Sequence, residues 1–523
     1  MGLTVAPANA WFLAWFALSP LWVLVVGSTQ RKNQSPPLPP SPLIPTPWGP
    51  PLPLLPLSLA WGIGYHGVAL FWITGIHPMT WMGVPWLASL GIAIFCLTFI
   101  SLWGAALVAV WAIAMKVICN SIPNGLIRVL IGTALWCGLE GLWGAGPLWW
   151  SSLSYTQSPH NLVILHLGQL SGPSAVTAAI VAVNGLFAEA WINHEDAKNR
   201  KKITFASSVS LRFVNKYLVI AISLLITLHL IGFGLYSRPL IQPPETALKV
   251  GIIQGNVPNQ IKLYPEGFRR AIAGYTTGYL TLASQGVDAV LTPEGALPFF
   301  QGDLMNTSFV SAVREKGAVA WLGAFGEKGH GYTNSLFTFT NKAEIFSRYD
   351  KAKLVPIGEY VPFEEILGGI ISRLSPLDEH QIPGAPNQIF DTPFGRAIVG
   401  ICYESAFSEP FRYQAAAGGR FILSASNDAH YSAAMPAQHH AQDIMRAIET
   451  DRWAVRATNT GYSAFVDPHG RTLWISGHNT YETHAETIYR RQTQTSYVRW
   501  GDRLTPILLV LGALGWFLGR QMR

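Results

Sequence analysis

Arg396-Ala-Ile-Val-Gly-Ile-Cys402-Tyr-Glu404-Ser405 is an apolar run that stops abruptly at a thiol. A short stretch rich in β-branched residues reads as a buried strand, so Cys402 sits where such a strand ends. Glu294 ends a similar run, and Lys351 lies in a short stretch upstream of the thiol. Ala289-Val-Leu-Thr-Pro-Glu294 delivers a carboxyl, and Tyr349-Asp-Lys351-Ala-Lys353-Leu-Val-Pro356 delivers an amine. A thiol attacks well only when it is ionised or loses its proton during attack, so it needs a base and a positive neighbour. An acid, an amine and a thiol at strand ends are the parts of an acyl-transfer site.

Outward from Cys402, the region 247–500 alternates between the two periodicities. Strands are expected at 248–254, 289–292, 318–323, 335–340, 397–402, 421–424 and 463–466, and helices at about 266–284, 304–316 and 436–452. This mixture specifies a layered α/β domain. Asp467-Pro-His-Gly470 reads as a hairpin turn, and no internal sequence repeat is visible. Cys402 is the sole cysteine of this region, which therefore holds no internal disulfide. Cys96, Cys119 and Cys137 fall in or beside apolar segments as small filler.

The rest of the chain belongs to a bilayer. Charged residues are 12% of the 523, about half the ~25% of soluble domains, and the mean hydropathy is +0.27. Trp occurs 20 times, as expected where rings sit at a membrane boundary. Seven segments read as spans against the roughly 17–25 apolar residues that cross a hydrocarbon core: 9–27, 54–76, 84–115 (long, as a tilted or partly interfacial span would be), 127–146, 170–192, 217–236 and 504–519. The net charge of +7 comes with no nucleic-acid motif. Its basic residues collect in alternate loops, among them Arg31, Lys32, Lys116, Arg128, Lys198 and Lys216, while 77–83 and 147–169 contain no Lys or Arg. The positive-inside rule places the basic loops in the cytoplasm and the N-terminus and 237–503 outside. The expected organisation is a six-span membrane domain (1–236), an extracytoplasmic domain (237–503) and a last membrane helix (504–523). The first segment lacks the basic start and cleavage site of a signal peptide. The proline-crowded 36–56 reads as an extended connector.

Seven short words stand in order: Val-Gly-Ile-Ile-Gln-Gly-Asn-Val-Pro (250–258), Leu-Thr-Pro-Glu-Gly-Ala-Leu-Pro (291–298), Tyr-Thr-Asn-Ser-Leu (332–336), Tyr-Asp-Lys-Ala-Lys-Leu-Val-Pro-Ile-Gly-Glu-Tyr-Val-Pro (349–362), Gly-Ile-Cys-Tyr-Glu (400–404), Ser-Ala-Ser-Asn-Asp (424–428) and Arg-Ala-Thr-Asn-Thr-Gly (456–461). Together they resemble the carbon–nitrogen hydrolase (nitrilase) superfamily. With the membrane segments and Gly-Pro-Leu-Trp-Trp at 146–150, the chain is similar to its membrane branch, the apolipoprotein N-acyltransferases. The resemblance implies a polytopic α-helical membrane domain plus a nitrilase-like four-layer α-β-β-α sandwich. It also implies a triad of Glu294, Lys351 and Cys402. Residue chemistry alone does not separate Lys351 from Lys353, nor Glu359, Glu364, Glu365 and Glu404 as helpers; the resemblance selects Lys351, with Glu359 and Glu404 as supporting carboxylates. It gives Asn334 and Asn427 supporting positions.

On that reading Glu294 takes the thiol proton, Lys351 and backbone N–H groups steady the oxyanion, and Cys402 carries the acyl chain as a thioester. The implied donor is a glycerophospholipid. The implied acceptor is the N-terminal amine of a diacylglyceryl-cysteine apolipoprotein, met by a monomer in the bacterial cytoplasmic (inner) membrane without a cofactor. The alternatives are a membrane-tethered amidase using water and an idle membrane scaffold. No metal is expected, since His439 and His440 are adjacent and point to different helix faces. Arg446 and Glu449 read as an internal ion pair, and Glu140, the lone acid well within a span, as buried with a partner. Leu297-Pro-Phe-Phe and the apolar stretch from Tyr360 through Gly368-Gly369 read equally as a lipid gate or as core. Two departures from the family pattern stand out. The chain opens where family members carry a further helix, and Leu263 replaces a customary aromatic, with Tyr264 adjacent.

Overall fold

The computed structural model describes residues 1–33, 53–203, 215–329, 331–356, 358–360 and 381–521. The membrane portion contains α1 (Ser19–Asn33), α2 (Leu54–Ala69), α3 (Trp86–Cys119), α4 (Gly125–Ala145), α5 (Pro173–Ile203) and α6 (Lys216–Tyr236). Among the described residues, five helices are long and apolar enough to cross a membrane: α3, α4, α5 over Pro173–Glu195, α6 and the final Leu504–Gln521. The first two expected spans are built differently. Segment 9–27 starts as a 3-10 turn, Trp11–Trp15, and becomes α-helical only at Ser19, where Pro20 fits because a first-turn residue needs no N–H partner. Segment 54–76 is α2 followed by the 3-10 stretch Phe71–Ile76.

The buried Asn184, Arg128 and Glu140 side chains inside this bundle are paired, as a low-dielectric interior demands. Asn184 accepts from the backbone N–H of Leu18 (2.9 Å) and Ser19 (3.0 Å), tying the start of α1 to α5. Arg128 pairs with Glu189. Glu140 accepts from Leu153 N (2.7 Å), Thr177 Oγ1 (2.6 Å) and Ser152 Oγ (3.2 Å).

The α/β portion has two six-stranded sheets. One runs β12-β1-β2-β3-β4-β5, the other β11-β10-β9-β8-β7-β6, with β1 (Ala247–Gln254), β2 (Ala289–Leu291), β3 (Val319–Lys328), β4 (Gly331–Phe339), β5 (Ile345–Asp350), β6 (Phe390–Thr392), β7 (Gly395–Ile401), β8 (Ile422–Ser426), β9 (Ala454–Thr458), β10 (Ala464–Val466), β11 (Thr472–Ile475) and β12 (Glu482–Tyr489). Each sheet has three central parallel strands and antiparallel neighbours on both sides. No repeat is legible in the sequence, yet the two sheets repeat one topology, because hydrogen-bonded strand order constrains side-chain type only loosely. The short edge strands β6 and β11 and the β9, β5 and β12 strands escape prediction. β6 has three residues, β11 has four, and β12 carries mostly half-exposed polar ones, so none of the three gives a long apolar run.

The inner faces meet through Val250, Ile252, Leu291, Trp321, Val399, Ile401, Leu423 and Val455. The outer face of the first sheet is covered by α7 (Pro265–Ser284) and α8 (Ser308–Lys316), through Tyr275, Tyr279, Phe309 and Val313. The outer face of the second sheet is covered by α9 (Ser408–Ala416) and α10 (Ala434–Thr450), which pack in turn against the membrane portion through Trp72, Trp150 and Tyr155. The result is an α-β-β-α order with its fourth layer joined to the membrane helices. Helix α11 (Leu504–Gln521) lies against α4 and leaves Val510, Leu514 and Phe517 exposed.

Candidate active site

Glu294 lies three residues beyond β2 and is buried. Its Oε1 accepts from Lys351 Nζ (2.8 Å) and Asn334 Nδ2 (2.7 Å), and its Oε2 from Asn427 N (2.9 Å). Lys351 follows β5, is 1% exposed, and donates also to Glu359 Oε1 at 2.6 Å. Glu359 is held in turn by Val355 N on its other oxygen (2.8 Å). Burial alone would strip the proton from Lys351, but Glu294 and Glu359 outweigh it and hold the ammonium well above its ordinary range. Burial, together with the charge of Glu294, pushes Glu359 up against the pull of Lys351. One cation thus stands between the buried carboxylate of Glu294 and the half-buried carboxylate of Glu359.

Cys402 follows β7 with a positive φ of 51°, a conformation L-residues adopt only when the surroundings impose it. Its thiol is raised well above the ordinary range by burial and then by Glu294, with Lys351 opposing. The resting sulfur is therefore protonated, and attack requires a base at the moment of reaction. Glu404 braces this turn: Oε2 accepts from Ile401 N (2.8 Å), Oε1 from Ala352 N (2.7 Å) and Lys353 N (3.2 Å), and Tyr349 Oη donates to both oxygens at 3.2 Å. One carboxylate thus ties the strand bearing the thiol to the segment bearing the lysine. Burial raises it to about 7, against those backbone donors.

The structure brings Glu294, Lys351, Glu359 and Asn334 into direct contact, and Cys402 into their electrostatic field. Asn427 takes part through its backbone N–H; its side chain bonds Asn259 and Asn459 instead. Arg446 and Glu449 pair at 3.1 Å, fully buried. In Leu297-Pro-Phe-Phe, Leu297 and Pro298 are buried, while Phe299 and Phe300 are half-buried, their rings 5.1 Å from Phe268 and 6.1 Å from Phe325. The other candidate gate, 361–371 with Gly368 and Gly369, lies outside the described residues, as do Glu364 and Glu365. Leu263 is half-buried and Tyr264 exposed.

Sequence reasoning missed three groups near the thiol. Lys262 is buried, donates to the carbonyl of Glu294 (3.2 Å) and is lowered to about 8 by burial. Asp428 and His439 lie beside Cys402, their ligand atoms within 4.8 Å of its sulfur and of one another. That spacing suits a metal, but the surroundings do not. Both ring nitrogens of His439 face acceptors, and Asp428 already carries the Arg456 guanidinium at 3.0 Å, so a further cation would meet a fixed one. His440 points away, toward Thr472 Oγ1 at 2.9 Å. The loop after β8 continues to His430, stacked on Trp81 (6.0 Å, 21°), and to Tyr431, edge-on to Trp72 (4.9 Å). The site therefore borders the membrane portion directly.

Two family descriptions match the chain: "Carbon-nitrogen hydrolase" over 250–496, and "Apolipoprotein N-acyltransferase N-terminal domain" over 53–186. A protein named apolipoprotein N-acyltransferase from Nostoc sp. is 68% identical over 99% of this chain and 97% of its own length. One of the same name from Synechocystis sp. is 48% identical over 99% and 98%. Among solved structures, an amidase from Nesterenkonia sp. is similar over 51% of this chain and 97% of its own, at 17% identity and a TM-score of 0.38.

Proposed function

The chain belongs to the apolipoprotein N-acyltransferase family and is a membrane-embedded acyltransferase; from that premise we propose that transfer runs through a thioester on Cys402, with Glu294 and Lys351 completing the site. In the first half-reaction Glu294 takes the thiol proton while sulfur adds to an ester carbonyl of a glycerophospholipid. Lys351 and backbone N–H groups at the Cys402 turn stabilise the oxyanion; removing one such donor typically costs roughly 10²–10³ in rate. Collapse breaks the C–O bond, Glu294 returns its proton to the departing oxygen, and lysophospholipid leaves. In the second, the α-amine of a diacylglyceryl-cysteine apolipoprotein adds to the thioester. Glu294 takes the amine proton and passes it to the departing thiolate, leaving an amide.

The observation that carries this reading is the buried Glu294–Lys351–Glu359 cluster beside a thiol that burial keeps protonated. It supplies a base for a nucleophile that cannot ionise by itself. The contacts of His430 and Tyr431 with Trp81 and Trp72 support access from the bilayer. The charge-free loops 77–83 and 147–169 support an outer-face site in the bacterial cytoplasmic membrane.

The test is mass spectrometry of the purified protein incubated with phospholipid. The Cys402 peptide should gain an acyl mass that a lipopeptide amine discharges faster than water does. Cys402→Ala should show neither step. Acyl transfer by Cys402→Ala would overturn the scheme, and discharge by water alone would favour the hydrolytic reading.

A further inference from the structure

Behind the nucleophile lies a buried polar chain with no role in the steps above. His439, within α10, donates through Nε2–H to the carbonyl oxygen of Cys402 at 2.7 Å. Its Nδ1 lies 3.1 Å from Asp428 Oδ1. Asp428 Oδ2 accepts from Arg456 at 3.0 Å, and Arg456 also donates to Asp443 Oδ2 at 2.7 Å. Asp443 Oδ2 accepts in turn from Ser424 Oγ at 2.7 Å. His439, Asp428, Asp443 and Arg456 are all 0% exposed. Burial alone would favour protonated Asp428, but His439 and Arg456 hold it below the ordinary carboxylate range. A fixed carboxylate sets the ring plane, as it does for histidines elsewhere whose second nitrogen is anchored.

The bond matters because of what it holds. Cys402 is one of six non-glycine residues with positive φ among the described residues, and strain of this kind persists only where the surroundings over-determine it. Glu404 fixes the turn from the N–H side at Ile401, and His439 fixes it from the carbonyl side. The next residue is held from the membrane portion. Tyr403 Oη donates to Pro147 O (2.6 Å) and accepts from Trp149 N (2.9 Å), and the Trp150 ring lies parallel to that of Tyr403 (6.2 Å, 6°) and 5.6 Å from that of His439. Trp150 Nε1 also donates to Gln438 Oε1, the residue before His439 (2.8 Å).

We propose that His439, anchored by Asp428 and Arg456 and flanked by Trp150, is a positioning residue that holds the Cys402 turn and so aims the sulfur. The inference rests on Cys402 being the nucleophile.

The full-length protein in detergent tests it, by following the acyl mass on the Cys402 peptide with phospholipid and the rate of Cys402 alkylation by iodoacetamide. His439→Leu should slow acylation about 100-fold, the scale of a 1 Å misplacement, through kcat with KM for phospholipid little changed. His439→Gln keeps an N–H for the carbonyl and should recover at least about tenfold of that loss. Asp428→Asn, which leaves the His439–Cys402 bond possible but loosens the ring, should fall between them. If His439→Leu does not fold, the Gln and Asn variants carry the test. Acylation of His439→Leu, or of Asp428→Asn, at the wild-type rate together with unchanged alkylation overturns the proposal, as does a Gln variant no better than Leu. Loss of activity on chelation, restored by zinc, would overturn it in favour of a metal on Cys402, Asp428 and His439. Cys402→Ala run alongside separates the failures: transfer by that variant sinks the thioester reading, whereas a dead Cys402→Ala beside a normal His439→Leu sinks only this inference.

Discussion

The two outer helices α7 and α10 occupy matching layers on topologically matching sheets, yet they obey different rules. Helix α7 is amphipathic in the ordinary sense: Tyr275, Tyr279 and Leu282 are buried and Glu266, Arg269 and Arg270 are exposed. Helix α10 is buried all round apart from Ala434 and Ala437, although it carries Gln438, His439, His440, Gln442, Asp443, Arg446 and Glu449. The difference comes from what lies outside each layer. Solvent faces α7, whereas the membrane portion closes over α10 through Trp72, Trp150 and Tyr155. A polar stripe on a helix therefore does not by itself mark a wet face. On α10 it marks a face whose partners come from distant segments.

The two halves are joined chemically at the site. The first sheet supplies Glu294 and Lys351 and the second supplies Cys402. The largest effect is expected from breaking that junction. Lys351→Met leaves Glu294 and Glu359 facing each other without their shared cation, and acyl-enzyme formation should fall by roughly 10²–10³, measured by the acyl mass on the Cys402 peptide. A rate within threefold of wild type would mean that the first half is dispensable to the second.

A stability comparison sharpens the contrast between the helices. Arg446→Met leaves Glu449 buried and unpaired, and should cost about 3–5 kcal/mol. The matching surface change, Arg270→Ala on α7, should stay within about 0.5 kcal/mol. Thermal unfolding in detergent reads both, and equal shifts would show that the membrane portion does not enclose α10.

A smaller effect concerns pH. Burial raises Glu404 from its ordinary 4.5 to about 7, so between these values the folded protein binds a proton that the unfolded chain has lost. Stability from this group is full below about 4.5 and declines as pH rises through about 7. Glu404→Gln should flatten that decline by up to about 1.4 kcal/mol per pH unit, measured by unfolding midpoints across pH 4.5–8. An unchanged slope would assign the decline to other groups, Glu449 among them, which is also raised to about 7 by burial.

Much of this is legible in the sequence. The strand runs ending at Glu294 and Cys402 announce themselves because a buried strand needs consecutive apolar residues and a functional group follows where the run stops; β5 before Lys351 does not, since Ser347, Arg348 and Asp350 interrupt it. The hairpin at 467–470 was equally legible: Asp467 Oδ1 accepts from His469 N and Arg471 N, both at 2.9 Å, as an Asp-led turn should. Spans α3 to α6 and α11 followed from length and hydropathy alone. The start of α1 and the end of α2 did not, because hydropathy does not register where helical hydrogen bonding begins or breaks.

By itself, the sequence determined which segments are apolar enough for lipid and where most of the long strands and helices lie, because these depend on local composition and order; its motif words singled out Glu294, Lys351 and Cys402 for the proposed transfer. Only the tertiary structure decided that Asn427 would serve through its backbone, that Glu404 would tie two strand ends together, and that Asp428 and His439 would stand behind the thiol. Those roles depend on distances between residues far apart in the chain, and neither periodicity nor residue type encodes such distances.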